Sequence, residues 1–456
     1  MGIKQIAVAG VVFQLTAFAA FAQTPNFDWF TADPGAAAFK VSTADELAGL
    51  AALVNNTAGA GQPFDFKGRT VTLTANVNLE GYGKNYSYTV KTADGAQNQK
   101  AIGWRPIGVS KERAFRGTFD GNGKTIAGLY IERPLPNAGL FGAVGGVVKN
   151  LAVDEVKISA GNYAGAVAGV VYGKGSKAAS CYSSGTVQGG DGVGGVAGFV
   201  EGGSVANCYT VATVSGSRWV GGVVGIVEPN SGVTHCYSAG NVSATGDYAG
   251  GVAGRVRDNS DVANCYSTGA VSGVRWAGGV AGSVSGTAGK NGSIINCYST
   301  AAVSGDNRVG GIVGGAEPNS RVANCAALNQ SVKSNGTASG RVLGEAGAQV
   351  ELSNNAAFKN MAIVAPPMPS SRVRAADSRD GVDISAAAVG IDGAIGGRFT
   401  GENGWTAQKG NLPGFGKPVA MPQHLQADAA AIAAEEQQIK LREAVGKAIS
   451  ASEQKK

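Results

Sequence analysis

Six cysteines are the residues whose type and spacing most directly suggest chemistry. Successive members lie 27, 28, 29, 32 and 28 residues apart, at Cys181, Cys208, Cys236, Cys265, Cys297 and Cys325. If they stack in register, neighbouring Cα atoms lie about 4.8 Å apart, which is within disulfide range for an exported protein. Parallel stacking holds the Cβ atoms slightly too far apart, so the pattern favours buried free thiols that pack as small apolar side chains. A metal site is disfavoured because no C-x-x-C spacing occurs.

Two columns of aromatic residues recur with the same period and are candidate binding surfaces. One tyrosine follows each of the first five cysteines: Tyr182, Tyr209, Tyr237, Tyr266 and Tyr298. Strand alternation directs these phenols outward if the cysteines point inward, and a corner at the cysteine or the residue before it would reverse this. The second column consists of Tyr163, Trp219, Tyr248 and Trp276, and it ends at Arg308. Such columns either stiffen a turn through ring contacts or form a strip for carbohydrate or a partner protein.

Polar columns accompany the aromatic ones, and their spacing favours structure over catalysis. An asparagine ladder is predicted at Asn207, Asn264, Asn296 and Asn324, with Ser180 and His235 in the same column. His235 and His424 are the only histidines. His235 is interpreted as a substituted member of the ladder, because a lone histidine without a carboxylate or Cys/His partner set does not make a site. Asp191, Arg218, Asp247 and Arg275 alternate in register, which predicts ion pairs between adjacent coils. We therefore predict no catalytic residue and no cofactor.

The elements that must position these columns are short and rich in glycine. Glycine contributes 72 of 456 residues, more than twice the usual share of about 7%. The phrase G-G-V-A-G, or a close variant, returns at residues 194, 221, 250, 278 and 310, each time followed by a polar turn. A period near 28 without helical spacing predicts an all-β parallel β-solenoid, with one repeat per coil. Valine and isoleucine columns (for example Val196, Val223 and Val252) would fill its core.

Charge and the chain ends set further limits. The net charge of +6 is spread thinly, so nucleic-acid binding is not expected. Residues 1–22 have a lysine, an apolar stretch and an A-x-A sequence, which predict a signal peptide and hence a secreted or cell-surface protein without a membrane span. Five regions follow: the signal peptide (1–22), an N-terminal cap with the first coils (23–137), the repeat solenoid (138–360), a closing segment (361–425) and a helical tail (426–456). A capping box at Thr43 and Glu46 predicts a short helix that covers the N-terminal end of the solenoid.

These phrases resemble the GLUG-motif repeats of bacterial surface proteins. The resemblance rests on the G-G-V-A-G cores, on Gly139-Leu140-Phe141-Gly142 and on the linking phrase Asn-Cys-Tyr-Ser-Thr-Gly at residues 264–269. It covers roughly residues 40 to 420 and is specific for the module, not for an activity. Modules of this kind also occur in immunoglobulin A metallopeptidases, but this chain has no H-E-x-x-H sequence. The resemblance implies an exported protein with an adhesive or structural role.

Two classes of function fit these patterns. The first is a non-enzymatic surface solenoid that adheres to glycans or to host or cell-surface proteins through the aromatic columns. The second is a carbohydrate-active β-helix enzyme, a lyase or hydrolase, which would need paired carboxylates on adjacent coils. The acids here alternate with arginines, which favours the first class. An ice-binding solenoid would need a regular threonine column, and Thr268 and Thr300 are too few.

Overall fold

The protein is a stack of β-coils in which every repeat adds one layer to a continuous parallel sheet. The computed structural model describes residues 24–57, 62–91, 98–336, 338–366 and 374–453. The predicted signal peptide, residues 1–22, lies outside these ranges. The described residues form a parallel β-solenoid of about 11 coils, which confirms the predicted fold class.

One side of the solenoid is an eight-stranded parallel sheet. Neighbouring strands stay in register from coil to coil, as in the pairing of Ala197 with Val224 and of Val224 with Ala253. Its strands are Phe141–Val144, Ala168–Tyr172, Ala197–Glu201, Val224–Val227, Ala253–Val256, Ala281–Val284, Val313–Ala316 and Leu343–Ala346.

The remaining sides belong to one sheet that wraps around the coils. The strands that enter the glycine-rich core are Ala164–Gly165, Asp191–Gly194, Arg218–Gly221, Ala249–Gly250, Val271–Gly278, Val303–Gly310 and Ser339–Gly340. The strands that follow the eight-stranded sheet are Val147–Ala160, Lys177–Gln188, Ser204–Ala206, Gly232–Thr234, Asp261–Ala263, Gly292–Ile295, Ser320–Ala323 and Val350–Ser353. Those that carry the tyrosines, or continue beside them, are Tyr209–Thr210, Tyr237–Ser238, Tyr266–Ser267, Tyr298–Ser299, Ala326–Ala327, Ala356–Phe358 and Val382–Ile384. The last side comprises Thr213–Gly216, Val242–Ala244, Ser331–Ser334 and Ala362–Val364.

The first coils are less regular and carry an antiparallel hairpin. Strands Ser87–Lys91 and Asn98–Gly103 pair with each other, and the second also pairs antiparallel with Tyr130–Arg133. The other strands of this region are Ala38–Val41, Thr70–Leu73, Val77–Asn78 and Thr118–Ala127.

Within the described residues, four α-helices flank the coils. They are α1 (Asp28–Thr31), α2 (Ala44–Val54), α3 (Ala386–Ile391) and α4 (Ala429–Glu453). The predicted capping box at the start of α2 is present, with Glu46 N–H donating to the Thr43 hydroxyl. The leucines of α2 are buried in the same hydrophobic core as the first coils, so this helix covers the N-terminal end.

The core of each coil is built from single small or branched side chains. The predicted columns that include Val196, Val223 and Val252, and Val205, Val233 and Val262, are fully buried. A single coil is too thin to bury its own valines. Each valine is buried because the equivalent residues of the two adjacent coils cover it.

Candidate functional site

The tyrosines form one continuous stack along the solenoid axis. Successive ring centroids lie 4.7, 5.0, 4.7 and 4.9 Å apart from Tyr182 to Tyr298. From Tyr209 onward the interplanar angles are 11°, 7° and 2°. Each ring face is therefore covered by the ring of the next coil, and what remains outward is mainly ring edges and hydroxyl groups.

The chain's own C-terminal segment covers one end of this stack. Trp405 lies 5.7 Å from Tyr298 between ring centroids and 6.1 Å from Tyr266. The Tyr298 hydroxyl donates a hydrogen bond of 2.7 Å to the carbonyl of Pro413. Tyr298 is completely buried and Tyr266 is 5% exposed, whereas Tyr209 is 39% exposed. The expectation of a fully open stripe is thus corrected: Tyr266 and Tyr298 point away from the coil but dock this segment.

The second aromatic column occupies a corner where the backbone is left-handed. Every member from Tyr163 to Arg308 has a φ between 55° and 72°. These members are Tyr163, Gly192, Trp219, Tyr248, Trp276 and Arg308. Glycine is the usual residue for such backbone, and a bulky side chain there is an outlier. The corner alone does not require aromatic residues.

Cations and further aromatics gather at this corner. Trp219 and Tyr248 are stacked at 6.2 Å, and Tyr248 meets Trp276 edge-on at 4.1 Å. The guanidinium carbons of Arg218, Arg255 and Arg308 lie 4.7, 5.8 and 5.0 Å from the rings of Trp219, Tyr248 and Trp276 respectively. We call this surface the corner band, made of Tyr163, Phe199, Arg218, Trp219, Tyr248, Arg255, Trp276 and Arg308.

Phe199 and Arg255 were not singled out in the sequence. The ring centroid of Phe199 lies 5.0 Å from that of Tyr163. Phe199 pairs with Ile226 on the next strand of the eight-stranded sheet, and Ile226 pairs with Arg255 on the strand after that. Both residues directly follow a G-G-V-A-G core, and this position changes from coil to coil whereas the core changes little. That contrast is the sequence signal that could have identified them.

The predicted charge alternation gives two separate ion pairs. Arg218 donates to both carboxylate oxygens of Asp191, with Nη2 2.6 Å from Oδ2, and Arg275 binds Asp247 in the same way at 2.6 Å. The neighbouring carboxylate raises the pKa of Arg218 and likewise of Arg275. Each arginine reaches back to the preceding coil, so the acids are occupied by structural pairing.

The asparagine column lies at the other left-handed corner, with φ from 51° to 55°. Amide bonds join its later members: Asn296 donates to Asn264 at 3.3 Å and Asn324 donates to Asn296 at 2.6 Å. His235 shares the backbone conformation, but its imidazole Nε2 lies 3.1 Å from the carbonyl oxygen of Asn403. His235 therefore contacts the C-terminal segment. Asn207 occupies the same corner one coil before it.

The six cysteines are all buried and free. Their sulfur atoms accept hydrogen bonds from the backbone. The backbone N–H groups of Cys181, Cys208 and Cys236 each donate to the Sγ of the cysteine in the next coil, with N–Sγ distances of 3.4 Å. Burial raises the pKa of the Cys236 and Cys265 thiols well above their usual range. After Cys325 the column ends at Asn355, whose side-chain oxygen accepts the Cys325 N–H at 3.0 Å.

The described residues offer no group of three or more His, Cys, Asp and Glu side chains that could hold a metal ion. Within the same ranges, no helix combines the length and apolar character that a bilayer crossing needs. Asp261 has no matching acid on adjacent coils, since it pairs with Gly232 and Ser293. Asp258 lies 3.7 Å from Arg257, which also pairs with Glu228 of the preceding coil.

Comparisons with known proteins give one family match, one curated relative and one solved structure. The family model of the GLUG motif matches residues 245–272, which hold one full coil. A stretch of 159 residues is 33% identical to halomucin from Haloquadratum walsbyi, and it spans 34% of this chain but 2% of halomucin. A crystal structure of a candidate immunoglobulin A1 protease from Bacteroides ovatus aligns over 83% of this chain and 92% of that chain, with 18% identity and a TM-score of 0.40.

The class of protein follows from the coil geometry: this is a parallel β-solenoid, and one of its coils, at residues 245–272, matches the GLUG motif. The motif match and the similarity to halomucin confirm the resemblance predicted from the sequence.

Proposed function

We propose that this protein is a secreted or cell-surface solenoid that acts without catalysis, as an adhesion protein binding glycans or surface proteins through its corner band. The GLUG motif and the similarity to halomucin support a surface location, and so does the predicted signal peptide at residues 1–22.

One observation carries the proposed binding role. Aromatic side chains occupy a left-handed corner in four coils, and Gly192 fills the same corner in another coil. A non-glycine residue in strained backbone costs on the order of 1–3 kcal/mol. Turning the chain does not require this cost, so the rings are retained for another role.

The chemistry of the corner band fits glycans and protein surfaces. Its rings are half-buried, leaving apolar area open beside the Arg255 guanidinium. The guanidinium groups of Arg218 and Arg308 also lie at the rings and pair with Asp191 and Glu345. Aromatic rings bind apolar faces of a ligand, and arginines bind hydroxyl, carboxylate or sulfate groups. The tyrosine stack fits this role less well, because its faces are covered by its own neighbours.

The first experiment is a screen of the wild-type chain on a glycan array and on immobilised surface proteins, beside Trp219→Asn/Trp276→Asn. Asparagine tolerates left-handed backbone, so the fold is expected to survive. We expect binding by the wild type and its loss in this variant. Circular dichroism and urea unfolding check the fold.

A matched control is Val211→Asn/Val364→Asn, which removes two exposed apolar side chains outside the corner band. This variant should bind like the wild type. Equal binding by all three proteins would show that the corner band is not the binding surface. Release of soluble products from acidic or neutral polysaccharides would reject the non-enzymatic role and favour the carbohydrate-active alternative.

A further inference from the structure

Two arginines near the N-terminal hairpin are buried or half-buried, and neither forms an ion pair with an acid of the described residues. Arg133 ends the strand Tyr130–Arg133 and is 4% exposed. Its Nε and Nη1 atoms are buried and have no hydrogen-bond partner within the described part of the chain. Arg105 is half-buried, and its Nε atom is likewise buried without a partner there.

Strand pairing brings the two arginines to one aromatic residue. Tyr88 pairs with Ala101 across the hairpin, and the register of Ile102 with Glu132 places Ala101 beside Arg133. The Arg105 guanidinium carbon lies 5.1 Å from the Tyr88 ring centroid. Ala101, with its small side chain, is the residue between Tyr88 and Arg133 in this row. The Tyr88 hydroxyl donates to the carbonyl of Trp104 at 3.2 Å.

Among the described residues, each of the two arginines has another arginine as a charged neighbour. Burial lowers the pKa of Arg133, and the positive charge of Arg105 lowers it further, while the Tyr88 phenol opposes this. Burial also lowers the pKa of Arg105, with a smaller contribution in the same direction from Arg113. The nearest acid in sequence, Glu132, accepts the Tyr130 hydroxyl at 2.8 Å.

The other deeply buried arginine of the described chain is treated quite differently. Arg341 is 2% exposed, and its Nη1 lies 2.6 Å from the carboxylate of Asp383. It also donates to the backbone carbonyls of Asp380 and Gly381, both at 2.9 Å. A buried charge normally has such partners, because leaving it unpaired is costly.

We propose that Arg105 and Arg133 form a binding site for an oxyanion, such as sulfate or the sulfate or carboxylate group of an acidic glycan. Guanidinium groups bind such oxygens with paired hydrogen bonds. The half-buried Arg105 marks the entrance and the buried Arg133 the end of the site. This inference does not depend on the role of the corner band, which lies on other coils.

The test compares thermal unfolding of the wild type in sodium sulfate and in sodium chloride of equal ionic strength. A bound anion stabilises only the folded state, so we expect sulfate to raise the midpoint by about 2 °C or more at saturating concentration. Arg133→Met and Arg105→Met should each lose this difference. Arg442→Met, which changes an exposed arginine of α4 outside both proposed sites, should keep it.

A second measurement keeps the proposal testable if Arg133→Met alters folding. Without added oxyanion, Arg105→Met should be at least as stable as the wild type, because it removes a partly buried and unpaired charge. Replacing sulfate by sodium glucuronate, a sulfated monosaccharide or phosphate then distinguishes the sources of the anion. An equal midpoint shift in the wild type, Arg105→Met and Arg133→Met, or no specific shift in the wild type with any of these anions, would overturn the site.

Discussion

The residues at the two left-handed corners of each coil differ greatly in the free energy that left-handed backbone costs them. Asparagine enters this backbone readily, because its short amide can form local hydrogen bonds. In the asparagine column the amides also bond to the coils on either side, as Asn296 does with Asn264 and Asn324. Tryptophan and tyrosine have no such advantage at the other corner. This contrast within one coil is why the aromatic corner, and not the asparagine corner, is the candidate binding surface.

Replacing Asn296 separates the two contributions of the asparagine corner. Asn296→Ala should lower the free energy of unfolding by about 2 kcal/mol, combining left-handed strain with lost amide bonds. Asn296→Gly should lower it less, because glycine adopts this backbone without strain. Urea unfolding of the three proteins measures both. Alanine and glycine variants of equal stability would contradict the assigned role of the backbone.

The cysteine column predicts six free thiols, which is unusual for a chain that is predicted to be exported. All six side chains are buried and free, and an inaccessible thiol reacts slowly. We expect native protein to be inert to a thiol reagent such as Ellman's reagent. Denaturation without reductant should then release six reactive thiols. Fewer than six, with a matching mass deficit, would show disulfides between coils.

The glycines of the repeat act at the scale of the element, by letting backbones approach. In the core at residues 250–254, a Cβ on Gly250 would collide with the carbonyl of Ala253, and one on Gly251 with that of Gly279. A Cβ on Gly254 would collide with the backbone of Trp219, in the aromatic corner of the preceding coil. None of these three glycines has a positive φ. They therefore provide space, while asparagines and aromatics at the corners carry the left-handed backbone.

Two glycine substitutions test this division. Gly251→Ala places a Cβ against the Gly279 carbonyl and 2.6 Å from the Ser267 Cβ, so it should cost about 3 kcal/mol or more. Gly232→Ala meets nothing within 4 Å and has no positive φ. It should be neutral or stabilise by about 0.4–1 kcal/mol. Chemical unfolding measures the free energy of unfolding of both variants. Similar losses of stability in the two would show that the glycines are needed for chain flexibility and not for the space they leave.

The C-terminal segment is a second element with a measurable energetic effect. It buries Tyr298 and accepts that residue's hydroxyl at Pro413. Burial raises the pKa of Tyr298 well above its usual range and also that of Tyr266. The folded protein therefore keeps phenol protons that the unfolded chain loses near pH 10.

This proton difference makes stability fall at alkaline pH. Once the unfolded state binds fewer protons than the folded state, the free energy of unfolding decreases with rising pH. The decline should begin near pH 8.5 with the thiols of the unfolded chain and steepen above about pH 10 with its phenols. Tyr298→Phe should match the wild-type slope below pH 10 and show a smaller slope above it. Urea unfolding across this range measures the slopes, and identical slopes above pH 10 would contradict the burial of the phenol.

At the scale of the whole molecule, the repeat made much of the structure readable from the sequence. A period near 28 aligned the valine, cysteine, tyrosine and asparagine columns, because stacked coils keep one register. The capping box of α2 was equally local. The docking of the C-terminal segment on Tyr298 had no local signal, since Pro413 is 115 residues away. The left-handed corners and the Arg105–Arg133 pair were also missed, because backbone conformation and non-repeated contacts leave no period.

The corner band extends over five coil steps from Tyr163 to Arg308, or about 24 Å at the usual strand spacing. A surface of this length fits an extended glycan or a peptide segment better than a small molecule. The regular solenoid holds the rings in a fixed row, so little conformational entropy is lost on binding.

We propose that the aromatic rings of the corner band bind a partner and that the left-handed corner does not need them in order to turn. The most direct measurement is the dissociation constant of Trp219→Asn/Trp276→Asn for the best ligand of the screen, together with its urea midpoint. We expect affinity to fall at least tenfold, as for buried tryptophan anchors in interfaces, while the midpoint stays close to that of the wild type. An unchanged dissociation constant in a folded variant would contradict the claim.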